Sequence, residues 1–487
     1  MDQAGKGFTV SEIMDQFGLN KFTWFMFFVL GFAMLFDGYD YMIMSYTLVP
    51  AATSLQVLDN PVLMGSMSSW STVGLVIGGL MSGILSDKFG RKRTLVVSIF
   101  CYALLTLPQA FSPTFEVFVF FRFCAGIGLG ACIPTVTTCF TESTPTHYRA
   151  IFVTLGMAFM IVGWVLAGIV GNAITNAPQI ISGFDNWRIC YIIGAIPLLY
   201  SILLAFIMHD TPHWLASKNR KEDTLTRLRQ IEKMGTGRTD IVDTLNAQDL
   251  IIPPKPVKTG PLALFSKKYI FATCAVWSGY FLGQVIVFGL NLWLPTMMTA
   301  VTGDPVTGAG LAVWQNGAAI LANASCGFIS EALGRKKSLM LGWIVAFVVI
   351  IAVSMGIEHY ALLGYWGTLA LMILLGYAVN YTITIVQPMM AESYPTQFRN
   401  TGVSWAQAFG RFGGAMAPMM LGAILGALAS QSGVNVAAGG SAMVPVYSQA
   451  FLFLTIPCVL GAICTMVFVR REYAGKSLDE LTEEING

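Results

Sequence analysis

The feature that most constrains this chain is a series of twelve apolar runs, each long enough to cross a lipid bilayer. The hydrocarbon core of a bilayer takes about 20 residues of helix, and a helix satisfies its own backbone hydrogen bonds there. The predicted spans are residues 22–50, 62–86, 94–111, 114–140, 150–171, 188–208, 269–298, 309–330, 338–355, 361–390, 401–428 and 446–469. We therefore predict an all-α membrane protein with twelve transmembrane helices. The first run has no small-residue cleavage site, so it is expected to be a retained helix rather than a signal peptide.

The composition agrees with this class and argues against several others. Only 11% of the 487 residues are charged, whereas a soluble domain usually carries about 25%. A net charge of +2 gives no basic surface for nucleic acid. The nine cysteines and four histidines form no ligand-spaced cluster, so we expect no metal site, no cofactor and no enzyme activity.

The basic residues predict the orientation in the membrane. All but three of the 28 Lys and Arg residues fall in the terminal tails or in the loops that follow even-numbered spans, the exceptions being Arg122, Arg188 and Arg411. Positive residues favour the cytoplasmic side. Both termini are therefore predicted to be cytoplasmic.

The longest connection divides the chain into two sets of six spans. We predict an N-terminal tail at 1–21, a six-helix bundle at 22–208, a cytoplasmic linker at 209–268, a second six-helix bundle at 269–469 and a C-terminal tail at 470–487. Within the linker, Leu225, Leu228 and Ile231 form one apolar stripe, which predicts a short amphipathic helix.

Two pairs of loops repeat between the halves. "GILSDKFGRKRTL" at 83–95 matches "GFISEALGRKKSL" at 327–339, and we call these the signature loops. "TESTPTHYR" at 141–149 matches "AESYPTQFR" at 391–399, and we call these the Glu-Pro-Arg loops. Each pair falls between equivalent spans of the two halves, which indicates an internal six-helix repeat.

These motifs resemble those of the major facilitator superfamily, whose halves are parallel six-helix repeats. The first signature loop is similar to the Gly-x-x-x-Asp-Arg/Lys-x-Gly-Arg-Arg/Lys pattern of that family, and the second has Glu331 in place of the Asp. The resemblance implies alternating access, with charged loop residues that join the halves when the inner gate is closed. The expected gate residues are Asp87, Arg91, Glu142, Arg149, Arg335, Glu392 and Arg399. The alternative is that these charges only anchor the topology.

Four charged residues inside predicted spans are functional candidates, because intramembrane charges are costly. They are Asp37 and Asp40 in "FDGYD", Arg122 in the fourth span and Arg411 in the eleventh. A rise of about 1.5 Å per residue places Arg411 about 15 Å deep, where snorkelling to the interface fits poorly. The same arithmetic places Asp40 and Arg122 together in the outer half of the membrane.

The pairing of Asp40 with Arg122 is similar to the proton-coupling pair of proton-coupled sugar porters, which implies that role here. Three roles stay open for Asp37: a second proton site, a substrate contact or a hydrogen-bonded partner of Asp40. The alternative for the Asp40–Arg122 pair is a purely structural ion pair.

Three stretches resemble the aromatic acid:proton symporter family, namely "FDGYD", "NLWLPTMM" at 291–298 and "GRFGGAMAP" at 410–418. The resemblance implies import of a small organic carboxylate, with an aromatic acid as the expected class, and such an anion would balance the Arg411 charge. The other candidate substrate-binding residues supply amides and aromatic rings: Gln284, Asn291, Asn380, Gln387, Tyr381 and Trp293.

Two other functions compete with this hypothesis. "DTPHWLASKNR" and "REYAGKSLDEL" resemble sugar porters, which implies a sugar or polyol:proton symporter. The other alternative is a membrane sensor or an enzyme on a transporter scaffold, and no group of residues in the sequence supports it. We expect a multi-pass protein of the plasma membrane, and the resemblance implies the bacterial inner membrane. It is expected to work as a monomer. Its expected partners are protons, the lipid bilayer and an organic anion substrate.

Overall fold

The computed structural model describes residues 8–251, 264–267, 269–394, 399–436 and 440–469, with the backbone alone at 150, 391 and 399–401. A short helix, α1 (Val10–Phe17), precedes the first bundle. The first bundle consists of α2 (Lys21–Ser54), α3 (Pro61–Phe89), α4 (Arg91–Thr106), α5 (Phe115–Ser143), α6 (Arg149–Thr175), α7 (Asn186–Gly194) and α8 (Pro197–Ile207). The last two form one span with a break at Ala195.

The linker and the second bundle follow the same order. The linker holds α9 (Pro212–Ser217) and α10 (Lys221–Thr236). The second bundle consists of α11 (Ile270–Thr302), α12 (Pro305–Leu333), α13 (Arg335–Glu358), α14 (Tyr360–Glu392), α15 (Arg399–Gln431), α16 (Val444–Leu452) and α17 (Thr455–Phe468). The last two again share one span. The C-terminal tail from 470 and the linker stretch 252–263 lie outside the described residues.

The all-α membrane class is confirmed. Within the described ranges, 11 helical segments are long and apolar enough to cross a membrane. The predicted eighth span is not among them, because α12 carries Gln315, Asn316 and Asn323 in its middle. It is nevertheless a continuous helix of 29 residues, about 43 Å at a rise of about 1.5 Å per residue. Polar side chains, not a shorter helix, lower its hydropathy.

The packing repeats between the halves. In the first half, α2 packs on α6 and α3 packs on α5; in the second, α11 packs on α15 and α12 packs on α14. The contacts between the halves follow the same pattern, with α15 against α3 and α12 against α6. Equivalent helices therefore make equivalent contacts, which accounts for the repeated loops.

The signature loops adopt one conformation in both halves. Gly90 separates α3 from α4 with φ 98° and ψ 159°, and Gly334 separates α12 from α13 with φ 86° and ψ 152°. Side chains with a Cβ rarely adopt a positive φ of this kind. The glycine lets one helix end and the next begin without an intervening loop, which places Arg91 and Arg335 at the first turn of α4 and α13.

The N-terminal helix and the linker pack together on the first bundle. Leu225, Leu228 and Ile231 of α10 are buried, and they belong to one apolar cluster with residues of α1 and α2. The backbone of Phe8 pairs with the linker at Leu250. We call α1, α10 and α9 with the two residues before it, Asp210 and Thr211, the cytoplasmic plate, because the charge distribution predicts that they lie on that side of the membrane.

The halves meet closely at the end of the bundle opposite the signature loops, which we call the outer end. A Cβ on Gly65 of α3 would lie 2.3 Å from the carbonyl oxygen of Pro418 in α15. Nearby, a Cβ on Gly422 would lie 2.2 Å from the carbonyl oxygen of Pro61. These backbone contacts close the space between the halves at the outer end.

The contact at Gly65 predicts a conformational shift. Gly65→Val should favour conformations in which the outer ends separate, because the added side chain collides with the Pro418 carbonyl. The measurement is labelling of a single cysteine at Ser68 by a membrane-impermeant thiol reagent added from outside, on a cysteine-free background. Gly310→Val is the control, since nothing lies within 4 Å of a Cβ at Gly310. Equal labelling in the two variants would contradict the prediction.

Candidate substrate and proton sites

The Asp40 and Arg122 side chains form an ion pair in the interior of the first half. Nη1 of Arg122 lies 3.0 Å from Oδ2 of Asp40, and Nη2 donates to the Asp40 carbonyl oxygen at 2.8 Å. The Thr106 hydroxyl donates to Oδ1 of Asp40 at 2.9 Å. Asp40 is 0% exposed and Arg122 is 1% exposed. The structure therefore brings together the two residues that depth arithmetic paired.

The surroundings of the pair are aromatic and only partly polar. The Arg122 guanidinium lies 5.8 Å from the centre of the Tyr191 ring, and the Tyr191 hydroxyl lies 3.2 Å from that of Thr47. Nε of Arg122 has no hydrogen-bond partner among the described residues. Removal of either charge would leave the other buried without compensation, which costs about 3–5 kcal/mol for pairs of this kind.

Asp37 occupies a different position one turn before Asp40. Its side chain is 2% exposed, and its Oδ1 has no hydrogen-bond partner within the part of the chain that the structure describes. Asp37 is thus a buried carboxylate with one oxygen that no described residue satisfies.

Arg411 crosses the boundary between the halves. It projects from α15, and a Cβ on Gly79 of α3 would lie 3.1 Å from its Nη1 and 3.5 Å from the carbonyl oxygen of Gly130 in α5. The missing side chain at Gly79 therefore makes room for the guanidinium. Arg411 is partly exposed and forms no ion pair with the described residues. It is available to bind an anion.

The predicted amides of the second half differ in their surroundings. Gln284 and Asn291 of α11 are buried, and within the described residues their side-chain oxygens have no hydrogen-bond partner. Gln387 is exposed and donates to the Tyr280 hydroxyl at 3.3 Å. Asn380 donates to the carbonyl oxygen of Gly376 at 2.9 Å. Among the four predicted amides, Gln284 and Asn291 are therefore the strongest candidates for hydrogen bonds to a ligand.

The two aromatic residues predicted for the substrate site both make contacts that pack one helix against another. Nε1 of Trp293 donates to the Pro418 carbonyl oxygen at 3.1 Å, which ties α11 to α15. The Tyr381 hydroxyl contacts that of Ser338 in α13, and its ring stacks on Tyr377 at 6.0 Å. Their assignment to the substrate site stays a prediction.

Other side chains at the interface between the halves were not predicted. The rings of Tyr41 in α2 and Phe288 in α11 face each other across it at 5.0 Å. Asn316 of α12 donates to the Tyr46 hydroxyl at 3.4 Å. Beside it, Gln315 is buried with both side-chain polar atoms unpaired among the described residues. The sequence could have indicated Gln315 and Asn316 as candidates, because they are adjacent polar residues inside an apolar run.

At the end that the charge distribution predicts to be cytoplasmic, gate residues form ion pairs within each half. Arg91 pairs with Glu142 at 2.9 Å and with Asp87 at 3.0 Å. Arg335 pairs with Glu392 at 2.9 Å in the second half. The two arginine–glutamate pairs each join a signature loop to the Glu-Pro-Arg loop of the same bundle. A role in joining the two halves therefore stays a prediction.

Arg149 does not pair with Glu142. Its Nε donates to the Thr144 carbonyl oxygen at 3.2 Å, and its Nη2 donates to the Ser11 hydroxyl of the cytoplasmic plate at 3.3 Å. Nε2 of His213 lies 3.1 Å from the same hydroxyl. Burial lowers the pKa of His213, which favours the neutral ring at this contact. The side chain of Arg399 lies outside the described residues.

The plate is fixed to both repeated loops of the first half. The Thr211 hydroxyl donates to Glu142. The backbone N–H of Lys92 donates to Oδ1 of Asp210 at 3.0 Å. Glu142 is therefore shared between Arg91 and the plate.

The fold and the motifs are those of a known family of transporters. The profile of the Major Facilitator Superfamily matches residues 30–418 and, in a second match, residues 308–486. This chain belongs to the major facilitator superfamily. It is a multi-pass membrane transporter and not an enzyme.

Several curated transporters resemble this member of the superfamily over most of their length. The 4-hydroxybenzoate transporter PcaK of Acinetobacter baylyi is 30% identical, over 84% of this chain and 86% of its own. PcaK of Pseudomonas aeruginosa is 27% identical, over 92% and 93%. The benzoate transport protein of Acinetobacter baylyi is 26% identical, over 98% and 96%. All three are bacterial, which agrees with an inner-membrane location.

Solved structures show the same fold. The inward-open xylose transporter XylE from E. coli superimposes with a TM-score of 0.71 at 18% identity, covering 95% of this chain and 99% of that one. A bacterial homologue of the lysosomal transporter Spinster, inward-facing and occupied, gives a TM-score of 0.69 at 15% identity, over 93% and 98%.

The Glu142 carboxylate binds both Arg91 and Thr211. We therefore predict that loss of the glutamate charge has different effects in the two Glu-Pro-Arg loops. Glu142→Gln should loosen the plate, because it removes the charge that holds Arg91 and Thr211. Hydrogen bonds to charged groups contribute about 1.5–3 kcal/mol. The measurement is hydrogen exchange of α9 in detergent-purified protein.

Glu392→Gln is the matched control for this variant. Glu392 has the equivalent place in the second half, and none of its described contacts is with the plate. Equal exchange of α9 in both variants would contradict the predicted role of Glu142.

Proposed function

We propose that this transporter is a symporter that imports a small aromatic carboxylate together with protons. The observation that carries the proposal is Arg411, a guanidinium that projects from the membrane-spanning helix α15 to Gly79 of the first half. Such a group is costly without an anion, and its planar fork matches a carboxylate. The names of the relatives, which transport 4-hydroxybenzoate or benzoate, support an aromatic acid.

The proposed site places different chemistry at the two ends of the substrate. Arg411 binds the carboxylate. The Tyr41 and Phe288 rings offer apolar surface for an aromatic ring. The amides of Gln284 and Asn291 are available for polar substituents, since their oxygens lack partners among the described side chains. Residues of both halves thus contact one substrate, as alternating access requires.

The proton site is proposed at Asp40 and Arg122. Protonation of Asp40 removes the charge that holds Arg122, so the free energy of the first half changes with proton occupancy. A substrate that favours one conformation then becomes linked to the proton. The pair is enclosed within the first half, so this linkage acts through conformation rather than through direct contact with the substrate.

A sugar or polyol is the second candidate. The buried amides of α11 and α12 suit hydroxyl groups, and that is the observation in its favour. A neutral sugar, however, would leave Arg411 without an anion. The carboxylate therefore accounts for more of the site.

Arg411→Ala should weaken binding of 4-hydroxybenzoate by about 10- to 100-fold, because a hydrogen-bonded charge contributes about 1.5–3 kcal/mol. Arg411→Lys should also be impaired, since a point charge does not replace the planar fork. Calorimetric titration of purified protein measures both. 4-Hydroxybenzamide is the control ligand. Equal affinity of the wild type for the acid and the amide would refute the assignment.

Asp40→Asn should abolish accumulation driven by a pH gradient, while substrate exchange without net proton movement survives in part. Uptake into proteoliposomes measures both activities. Asp185→Asn is the matched control, because Asp185 also pairs with an arginine, Arg188, but is largely exposed. Accumulation by Asp40→Asn against a gradient would show that Asp40 is not the coupling site.

A further inference from the structure

An apolar groove runs along the surface of the first half between α2 and α8. Its volume is about 270 Å³, and it is lined by Phe25, Phe28, Val29, Phe32, Tyr200, Leu203, Leu204 and Ile207. Phe28, Phe32 and Leu203 are each roughly half exposed. Because both helices belong to membrane spans, we expect the groove to open towards lipid.

The groove has a fixed floor and the length of a lipid chain segment. The Tyr200 hydroxyl, the one polar side-chain group among these eight lining residues, donates to the Val29 carbonyl oxygen and so joins α8 to α2. From Phe25 to Phe32 the groove follows α2 for about 10 Å. That is about two thirds of one leaflet in a hydrocarbon core of about 30 Å. A hydrocarbon chain therefore fits this groove in both length and polarity.

An arginine of the cytoplasmic plate lies at the end of the groove where α2 begins. The Arg227 guanidinium of α10 lies 5.6 Å from the centre of the Phe22 ring, and Phe22 precedes Phe25 by about one helical turn. Further along α10, a Cβ on Gly235 would lie 2.6 Å from the Asn20 side chain. The helix α10 is therefore packed against the start of α2, with Arg227 beside the mouth of the groove.

The charge of Arg227 is incompletely compensated. Nη1 donates to Oε1 of Gln230 at 2.9 Å, but within the described residues Nε is buried without a hydrogen-bond partner and the guanidinium forms no ion pair. Burial lowers the pKa of Arg227 to about 10, and the charge of Asp210 acts in the opposite direction. Oδ1 of Asp210 already accepts from the backbone N–H of Lys92. Arg227 is therefore available to an external anion.

His209 lies at the same end of the groove. It follows Ile207, the last residue of α8 and part of the groove lining, by two positions. Partial burial and the nearby charges of Arg227 and Lys92 lower the pKa of His209. Basic side chains from three segments thus lie close to the point where the apolar lining ends.

We propose that this groove and Arg227 bind one anionic glycerophospholipid from the leaflet on the side of the cytoplasmic plate. An acyl chain occupies the groove between α2 and α8, and the phosphate binds at Arg227 beside His209. Basic residues at the membrane surface attract anionic lipids. A free phosphate would satisfy Arg227 but leave the groove unfilled, so a lipid accounts for both observations.

The bound lipid would fasten the plate to the first bundle, because its headgroup contacts α10 while its chain contacts α2 and α8. This inference is independent of the proposed transport of a carboxylate, since none of the residues that carry it belongs to the proposed substrate or proton sites.

The experiment is native mass spectrometry of the purified full-length protein with phosphatidylglycerol, compared with phosphatidylcholine of the same chains. We expect the wild type to prefer phosphatidylglycerol. Arg227→Gln should weaken that binding by about fivefold, the contribution of one basic residue near an anionic headgroup, and leave phosphatidylcholine unaffected. Arg229→Gln is the matched control and should bind as the wild type does, because Arg229 lies on the same helix but already pairs with Asp243 at 2.6 Å.

A second pair of variants tests the groove itself. Leu203→Trp should fill the groove and weaken the binding of both lipids severalfold. Leu199→Trp is its control, because Leu199 is 69% exposed on the same helix and lies outside the lining. Phosphatidylglycerol should also slow hydrogen exchange of α10 in the wild type but not in Arg227→Gln.

The outcomes distinguish a lipid from other ligands. Equal affinity of the wild type for the two lipids, or equal binding by Arg227→Gln and Arg229→Gln, would overturn the headgroup site. Unchanged binding by a folded Leu203→Trp would overturn the acyl-chain site. If that variant fails to fold, glycerol 3-phosphate decides: protection of α10 equal to that by phosphatidylglycerol overturns the lipid, and absence of protection supports it.

Discussion

The ion pair between Asp40 and Arg122 is the interaction on which the first half depends. Two charges in a membrane interior are tolerated only when each compensates the other. The pair fixes α2 against α5, and Thr106 adds a hydrogen bond from the end of α4. Three helices are therefore held by a contact whose strength depends on protonation. A change at one carboxylate can alter the packing of the whole bundle.

The two halves repeat their packing but not their chemistry. The first half holds the carboxylates Asp37 and Asp40, whereas the second contributes unpaired amides and Arg411. Alternating access requires that the substrate act on the relative position of the halves. The guanidinium of Arg411 in the second half reaches Gly79 of the first, so a ligand bound to it would contact both halves.

The repeated loops have the same local geometry but different neighbours. Gly90 and Gly334 adopt the same positive-φ conformation, and an arginine follows each and pairs with a glutamate of the same half. Only in the first half, within the described residues, does that glutamate also bind the linker. The plate thus ties the cytoplasmic loops of the first bundle into one unit, which the repeat alone does not indicate.

The helical class, the repeat and the pairing of Asp40 with Arg122 could be predicted from the sequence, because hydropathy, spacing and helical rise are local properties of the chain. Sequence reasoning selected Trp293 and Tyr381 by residue type, and only the tertiary structure showed that packing contacts occupy both. The approach of Arg411 to Gly79 in the other half, and the contact of Tyr41 with Phe288, likewise depend on the tertiary structure. Those contacts depend on the rotation of each helix and on how the halves meet, which no local pattern specifies.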